Sequence, residues 1–157
     1  MIDSIFIKNN AINISNVSRE TLKDLDDYGN SIILKNKDIN LISASTEKSI
    51  NSRHIIDSAQ TIDFIDNIEI NKCTDLGSGA GLPGIVLAIL MKHKKPQFKV
   101  IFYEKSYHKS KFLVDMSKKF NLNTKVYQKN IFEEKNLSTD VIIARAFKPL
   151  PIIFQIA

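Results

Sequence analysis

Apolar and polar positions along the chain follow two successive patterns. Between residues 18 and 65 apolar residues recur at three- and four-residue spacing, the period of helices that bury one face. Ser18 can cap a first helix in which Leu22, Leu25, Tyr28 and Gly29 share a side, which predicts a helix to about residue 37. Asn40-Leu41-Ile42-Ser43 interrupts the pattern. Ser45-Thr46-Glu47-Lys48 then offers caps for a second helix carrying Ile50, His54, Ile55, Ala59, Ile62 and Ile65. From residue 68 onward, short apolar runs of strand length alternate with helical patterns. They predict strands over 72–76, 98–104, 124–128 and 139–144, and helices over 84–95 and 107–120. In the second of these helices Phe112, Leu113, Met116 and Phe120 point inward.

The order β-α-β-α-β-β with parallel signals predicts an α/β, Rossmann-like fold. The expected organisation is one domain over residues 1–157, with an N-terminal helical cap over 1–70 and the Rossmann-like core over 71–157. Residues 1–15 alternate too loosely to assign and are expected to fray.

The first predicted strand runs into Gly77-Ser78-Gly79-Ala80-Gly81-Leu82-Pro83-Gly84, four glycines in eight residues. Glycine admits positive φ and leaves no Cβ in the path of a ligand. Pro83 suits the first turn of the helix that follows, whose amino terminus favours a carboxylate or phosphate. Glu104, twenty residues beyond Gly84, ends the next strand, where a carboxylate accepts hydrogen bonds from the two hydroxyls of a ribose. Loop, helix and acid in this order predict an adenosine-type ligand at the carboxyl ends of neighbouring strands. A plain tight turn followed by a surface acid would use the same residues.

Composition narrows the class. A chain of 157 residues with 43% hydrophobic and 25% charged residues suits one soluble globular domain. Its start, Met1-Ile2-Asp3-Ser4-Ile5, has an acid where a secretory signal needs basic charge, and no apolar run approaches a membrane span. The single cysteine, Cys73, falls in the first core strand and reads as packing in a reducing, cytoplasmic setting. The net charge of +5 is unevenly placed. Residues 1–72 carry eight Lys/Arg against eleven Asp/Glu, a balance of −3, whereas residues 92–135 carry twelve lysines against four acids, a balance of +8. That asymmetry suggests a polyanionic partner, most simply nucleic acid, although a general Lys, Asn and Ile bias produces the same excess.

Two further groups stand out. Arg145 ends the last predicted strand, at a position suited either to a ligand or to a surface ion pair. Arg53, His54 and Asp57 share a helical face, and a polar cluster that docks the cap onto the sheet is the favoured reading. No His/Cys spacing suits a metal.

Four stretches carry a resemblance: Ile39-Asn40-Leu41-Ile42-Ser43, Arg53-His54-Ile55-Ile56-Asp57-Ser58, 75–84 from Asp75 to Gly84, and Ala144-Arg145-Ala146-Phe147. In order and spacing they are similar to the motifs of the bacterial glucose-inhibited division protein B family. These are methyltransferases G, which methylate N7 of a guanine in small-subunit (16S) ribosomal RNA. The resemblance covers about residues 25–149. It implies S-adenosylmethionine as cofactor, a Rossmann-like methyltransferase fold, no metal, no membrane, and the small ribosomal subunit as partner. It further implies that Gly77, Gly79, Gly81 and Leu82 meet the cofactor, Glu104 its ribose, and Asn130, Ile131 and Phe132 its adenine. Arg145 would lie in the active site against both cofactor and guanine, and His108 and Lys109 would face the RNA.

The chain departs from the family pattern in two places. Phe132 stands where the family has an acid, leaving adenine to backbone groups and stacking. After Pro149-Leu150-Pro151 the sequence ends at Ala157, short of the family's last helix and strands, so the expectation is a truncated core with an open sheet edge. A complete chain would be a monomer and a truncated one would self-associate. Two other functions stay open: a catalytically impaired RNA-binding remnant, and a nicotinamide-dinucleotide-binding Rossmann protein, which shares the glycine turn and later acid.

Overall fold

The computed structural model describes residues 17–65 and 69–156; the readings of residues 1–15 and of Ile68 lie outside them. Helix α1, Arg19–Asn36, begins where the Ser18 hydroxyl accepts the Thr21 amide at 3.1 Å. Glu20 in its first turn and Lys35 in its last complement the helix dipole. Leu25, Tyr28, Gly29 and Ile32 form its buried face. Past its end, the Asn36 carboxamide accepts the amides of Leu41 and Ile42 at 2.7 and 3.0 Å and donates to Glu47 at 2.6 Å. One side chain thereby satisfies two amides of the 40–43 break.

The second helix expected from the sequence is instead four short pieces: a 3-10 turn, Ala44–Ser49; a π turn, Asn51–Ile56; α2, Asp57–Ala59; and α3, Ile62–Ile65. The interruption before α3 has a local cause. The Thr61 hydroxyl donates to the Ser58 carbonyl at 2.6 Å, competing with the helical ladder.

Four strands, β1 Lys72–Leu76, β2 Lys99–Tyr103, β3 Thr124–Tyr127 and β4 Val141–Ala144, form a sheet of order β3-β2-β1-β4 with every pairing parallel. Leu76 is in register with Tyr103 on one side and Ala144 on the other. The chain steps outward from β1 to β3 and then crosses back to the far side of β1. Such a reversal opens a crevice between β1 and β4 at the carboxyl ends of the strands, the usual place for ligands in doubly wound sheets.

Helices α4, Gly84–Lys94, and α5, Tyr107–Lys119, connect the first three strands. Gly84 through Met91 are all buried, so α4 is apolar all round and lies inside the molecule. With α1, Phe112, Leu113, Cys73, Val100 and Phe102 it makes the main core, where each fully buried Leu, Ile or Phe contributes about 1.5–3 kcal/mol. The alternate residues of the strands, Leu76, Ile101 and Tyr103, face the other way and pack with Ile131, Phe147 and Ile153, the last in α6, Leu150–Ile153. Cys73 is fully buried and its thiol pKa is pushed up by burial, as packing requires. Pro83 precedes α4 as its cap, rather than sitting in its first turn. Among the described residues, no helix is long and apolar enough to cross a membrane.

Candidate active site

The loop after β1 is held from two sides. The amides of Gly77 and Ser78 both donate to the Tyr103 carbonyl, at 2.9 and 3.2 Å, and the Ser78 hydroxyl donates to the Asp75 carbonyl at 2.8 Å. From the cap, the fully buried Tyr28 donates its phenolic proton to the Ala80 carbonyl at 2.7 Å. Burial pushes the Tyr28 pKa up, so the phenol keeps that proton.

The glycines have different purposes, which corrects the expectation that all of them clear a path for a ligand. Gly79, at φ +55°, is the one where an added Cβ would meet only the Gly77 carbonyl oxygen, at 3.8 Å. At Gly81, φ +89°, it would strike Ile85 at 2.5 Å and Leu113 at 2.8 Å, so this residue turns into the core. At Gly84 the obstacles are Phe102 and Asp75, the close approach of α4 to the sheet. Leu82 is buried in the main core. The Cβ direction of Gly81 and the side chain of Leu82, two residues expected to touch a cofactor, both face the core.

Two carboxylates flank the loop. Asp75 is 1% exposed; one of its oxygens accepts the Gly84 amide at 3.0 Å and the other has no hydrogen-bond partner. Desolvation raises its pKa to about 7, with the Glu104 charge adding to the rise and the Gly84 bond opposing it. Glu104, directly after β2, is buried and accepts the Gly79 amide with one oxygen and the Ser106 amide with the other, each at 2.8 Å. An ionised carboxylate has lone pairs for more than two donors.

Beside Glu104 lies a cavity of about 160 Å³ lined by Gly77, Tyr103, Lys105, Lys129, Asn130, Ile131 and Phe147. Asn130 caps the 3-10 turn Ile131–Glu133 by accepting the Phe132 amide at 3.3 Å. Phe132, half exposed, stacks on Phe147 at 6.2 Å between centroids. The Phe147 ring in turn covers Gly77, where an added Cβ would collide with it. On the outer wall Lys129 pairs with Glu134 at 2.6 Å, and the Tyr103 hydroxyl donates to the same carboxylate at 2.9 Å. Those two bonds hold the Glu134 pKa down to about 2, while burial and Glu134 push Tyr103 up to about 12.

Arg145, at the end of β4, is turned toward the cap. It donates to the Arg53 carbonyl at 3.0 Å and to His54 Nδ1 at 3.1 Å, reaches Ser58 Oγ at 3.4 Å, and pairs with Asp57 at 3.4 Å. Ala146 follows at φ +50°, a left-handed conformation uncommon for alanine. Beyond it, Phe147 lines the cavity at Gly77. His108 lies elsewhere, in a groove of about 560 Å³ between α1 and α5 that includes Lys35, Lys37, Lys111 and Lys119. Lys109, in the first turn of α5, donates its amide to the Ser106 cap. Among the described residues there is no His/Cys/Asp/Glu group suited to a metal ion. None of Tyr28, Thr46 and Phe147 was expected at the site: Tyr28 was read only as part of a helix face, Thr46 only as a candidate cap and Phe147 only as the aromatic of the Ala144-Arg145-Ala146-Phe147 stretch.

Comparison with known proteins bears on this arrangement. A family model described as GidB, rRNA small subunit methyltransferase G, matches residues 21–157. The ribosomal RNA small subunit methyltransferase G of Pelagibacter ubique strain HTCC1062 is 50% identical over 143 residues, covering 90% of this chain and 67% of the relative. That of Cereibacter sphaeroides strain ATCC 17025 is 39% identical over 142 residues, covering 90% and 68%. Among solved structures, coclaurine N-methyltransferase bound to N-methylheliamine and SAH is similar with a TM-score of 0.52 at 14% identity. The match covers 91% of this chain and 46% of that one, and shows a shared fold.

Proposed function

The chain belongs to the rRNA small subunit methyltransferase G family, and on that premise we propose that it transfers a methyl group from S-adenosylmethionine to N7 of a guanine in 16S ribosomal RNA. One observation carries the cofactor part of this reading: the open face of Gly79 and the Glu104 carboxylate sit together at the ends of adjacent parallel strands.

The residues present fit that cofactor. Glu104 supplies acceptors for ribose hydroxyls, Asn130 and Ile131 line the side where adenine would lie, and Gly79 leaves room for a ligand atom against the backbone. A cavity of about 160 Å³ is below the roughly 300–1,000 Å³ of small-molecule sites, so binding requires the Phe147 side chain to turn away from Gly77. When bound, the cofactor supplies a methyl group already activated on a sulfonium sulfur. Guanine N7 presents a lone pair and loses no proton, so this chain needs no general base. Its contribution is to hold the two reactants in line and exclude water, and positioning of that kind lowers barriers by several kcal/mol.

RNA would be held separately. Lys109, Lys111 and Lys119 on α5, with Lys35 and Lys37 near the end of α1, would offer cations to a phosphate backbone, with the His108 imidazole beside them. A substrate of this kind places the work of the chain in the cytoplasm.

The test is to incubate the purified chain with S-adenosylmethionine and small ribosomal subunits lacking the modification, then digest the RNA and identify the product by mass spectrometry. A single 7-methylguanosine in 16S RNA supports the proposal. Methylation at another atom or base would redirect it, and none would reject it for this chain.

A further inference from the structure

We propose that the cleft between the cap and the end of β4, lined by Thr46, Ser52, Arg53, His54, Asp57 and Arg145, is the pocket for the target guanine, with His54 the positioning residue for Arg145. This rests on the methyltransferase reading above and adds to it the place and edge of base recognition. The cleft measures about 380 Å³, within the range of small-ligand sites.

Its location follows from topology. Arg145 and Phe147 belong to one exit loop, and the left-handed Ala146 between them sends Arg145 to the cap and Phe147 to the glycine loop. Because β4 pairs directly with β1, that loop neighbours Gly77. A base in the cleft thus lies next to the cofactor side of the crevice, with the single residue Ala146 between the Arg145 and Phe147 that line the two.

Its chemistry matches guanine. Asp57, more than half exposed at its side chain, offers a carboxylate to the N1–H and N2–H donors of the base. Arg145 offers N–H groups to O6. N7 is left without a protein donor, as its lone pair must be to accept a methyl group. Adenine presents an acceptor at N1 and a donor at its exocyclic nitrogen, and so opposes both partners.

The orientation of Arg145 is set by a chain of hydrogen bonds. The Thr46 hydroxyl spends its only proton on the Ser43 carbonyl at 2.8 Å, so its oxygen must accept at 2.8 Å from His54 Nε2–H. That fixes the tautomer, leaving Nδ1 unprotonated to accept from the guanidinium, which can only donate. The charges around the ring agree: burial and Arg145 hold the His54 pKa down, Arg53 adds to this, and Asp57 opposes it.

The test is NMR of the chain labelled with ¹⁵N at histidine and arginine, saturated with S-adenosylhomocysteine and titrated with GMP or with AMP. The His54 nitrogens are expected to report the Nε2–H tautomer. GMP should shift the His54 and Arg145 signals saturably, at concentrations at least about tenfold below those at which AMP acts. Asp57→Asn should weaken GMP binding by at least about fivefold while leaving affinity for S-adenosylhomocysteine within about twofold. Equal effects of GMP and AMP, no shift at these residues, or an unaltered titration with Asp57→Asn would overturn the proposal. Failure of S-adenosylhomocysteine to bind in the same samples would instead reject the cofactor reading, and the nucleotide arms would still decide the cleft.

Discussion

Glu104 accepts the Gly79 amide at 2.8 Å, so the acid that ends one strand's run holds the loop that leaves its neighbour. Gly79 is also the position in the loop whose Cβ direction is open. The carboxylate proposed to bind ribose therefore also sets the shape of the surface the cofactor meets. Glu104→Ala should lower affinity for S-adenosylhomocysteine by at least about tenfold, ~1.4 kcal/mol, measured by calorimetry. It should also lower the melting temperature, since an unpartnered buried amide costs about 1–3 kcal/mol. A stability loss without an affinity loss would make Glu104 a brace alone.

Gly79 and Gly81 should separate binding from folding. Gly81→Ala forces a methyl group against Ile85 and Leu113 at positive φ, and overpacking of this kind costs about 1–3 kcal/mol before backbone strain is added. Gly79→Ala carries only the left-handed strain, about 1–2 kcal/mol, and should mainly reduce cofactor affinity. Chemical denaturation and calorimetry on both variants check this; the reverse ranking would contradict the assignment of faces.

Asp75 should give stability a pH slope of unusual sign for a carboxylate. Its folded pKa of about 7 lies above the ordinary aspartate value of about 4, so between these limits the folded state holds the extra proton. By linkage, its contribution is full below about pH 4 and is lost as pH rises through 7. The whole change is on the order of 4 kcal/mol, at about 1.4 kcal/mol per pH unit. Asp75→Asn keeps an acceptor for the Gly84 amide and removes the titration, so variant and parent should converge in stability near pH 4 and diverge in the variant's favour by pH 8. Denaturation curves across that range decide it, and a constant difference would contradict the buried, proton-holding Asp75.

Arg145→Ala should reduce methyl transfer while leaving cofactor affinity within about tenfold, ~1.4 kcal/mol, because the guanidinium reaches the cap and not the cavity beside Glu104. Amide exchange in Asn51–Ile56 should accelerate, since four contacts from Arg145 close on Arg53, His54, Asp57 and Ser58. Transfer equal to that of the parent would remove Arg145 from the active site.

The sheet was legible in the sequence because β2 and β4 are short apolar runs and β1 and β3 are short segments bounded by turn residues, and the observed strands fall inside the expected spans. Ser18 marked its helix start to the residue. The second cap helix was not legible as four pieces: its apolar spacing is helical throughout, and the break depends on the Thr61 hydroxyl finding the Ser58 carbonyl. The glycine loop was visible as composition, yet which glycine faces ligand and which faces core is a matter of φ and of distant neighbours such as Leu113. Sequence spacing placed Arg53, His54 and Asp57 on one face and favoured a docking role for them. That Arg145 is the group they dock required the β4 crossover beside β1.

The claim that the Gly77–Gly79 turn and Glu104 form an S-adenosyl pocket is tested most directly by calorimetric titration of the purified chain with S-adenosylhomocysteine and, in parallel, with NAD. The account predicts saturable one-site binding of S-adenosylhomocysteine, abolished by combining Gly79→Ala with Glu104→Ala, and no heat from NAD. Binding of NAD in preference to S-adenosylhomocysteine, or S-adenosylhomocysteine binding that survives the double substitution, would contradict it.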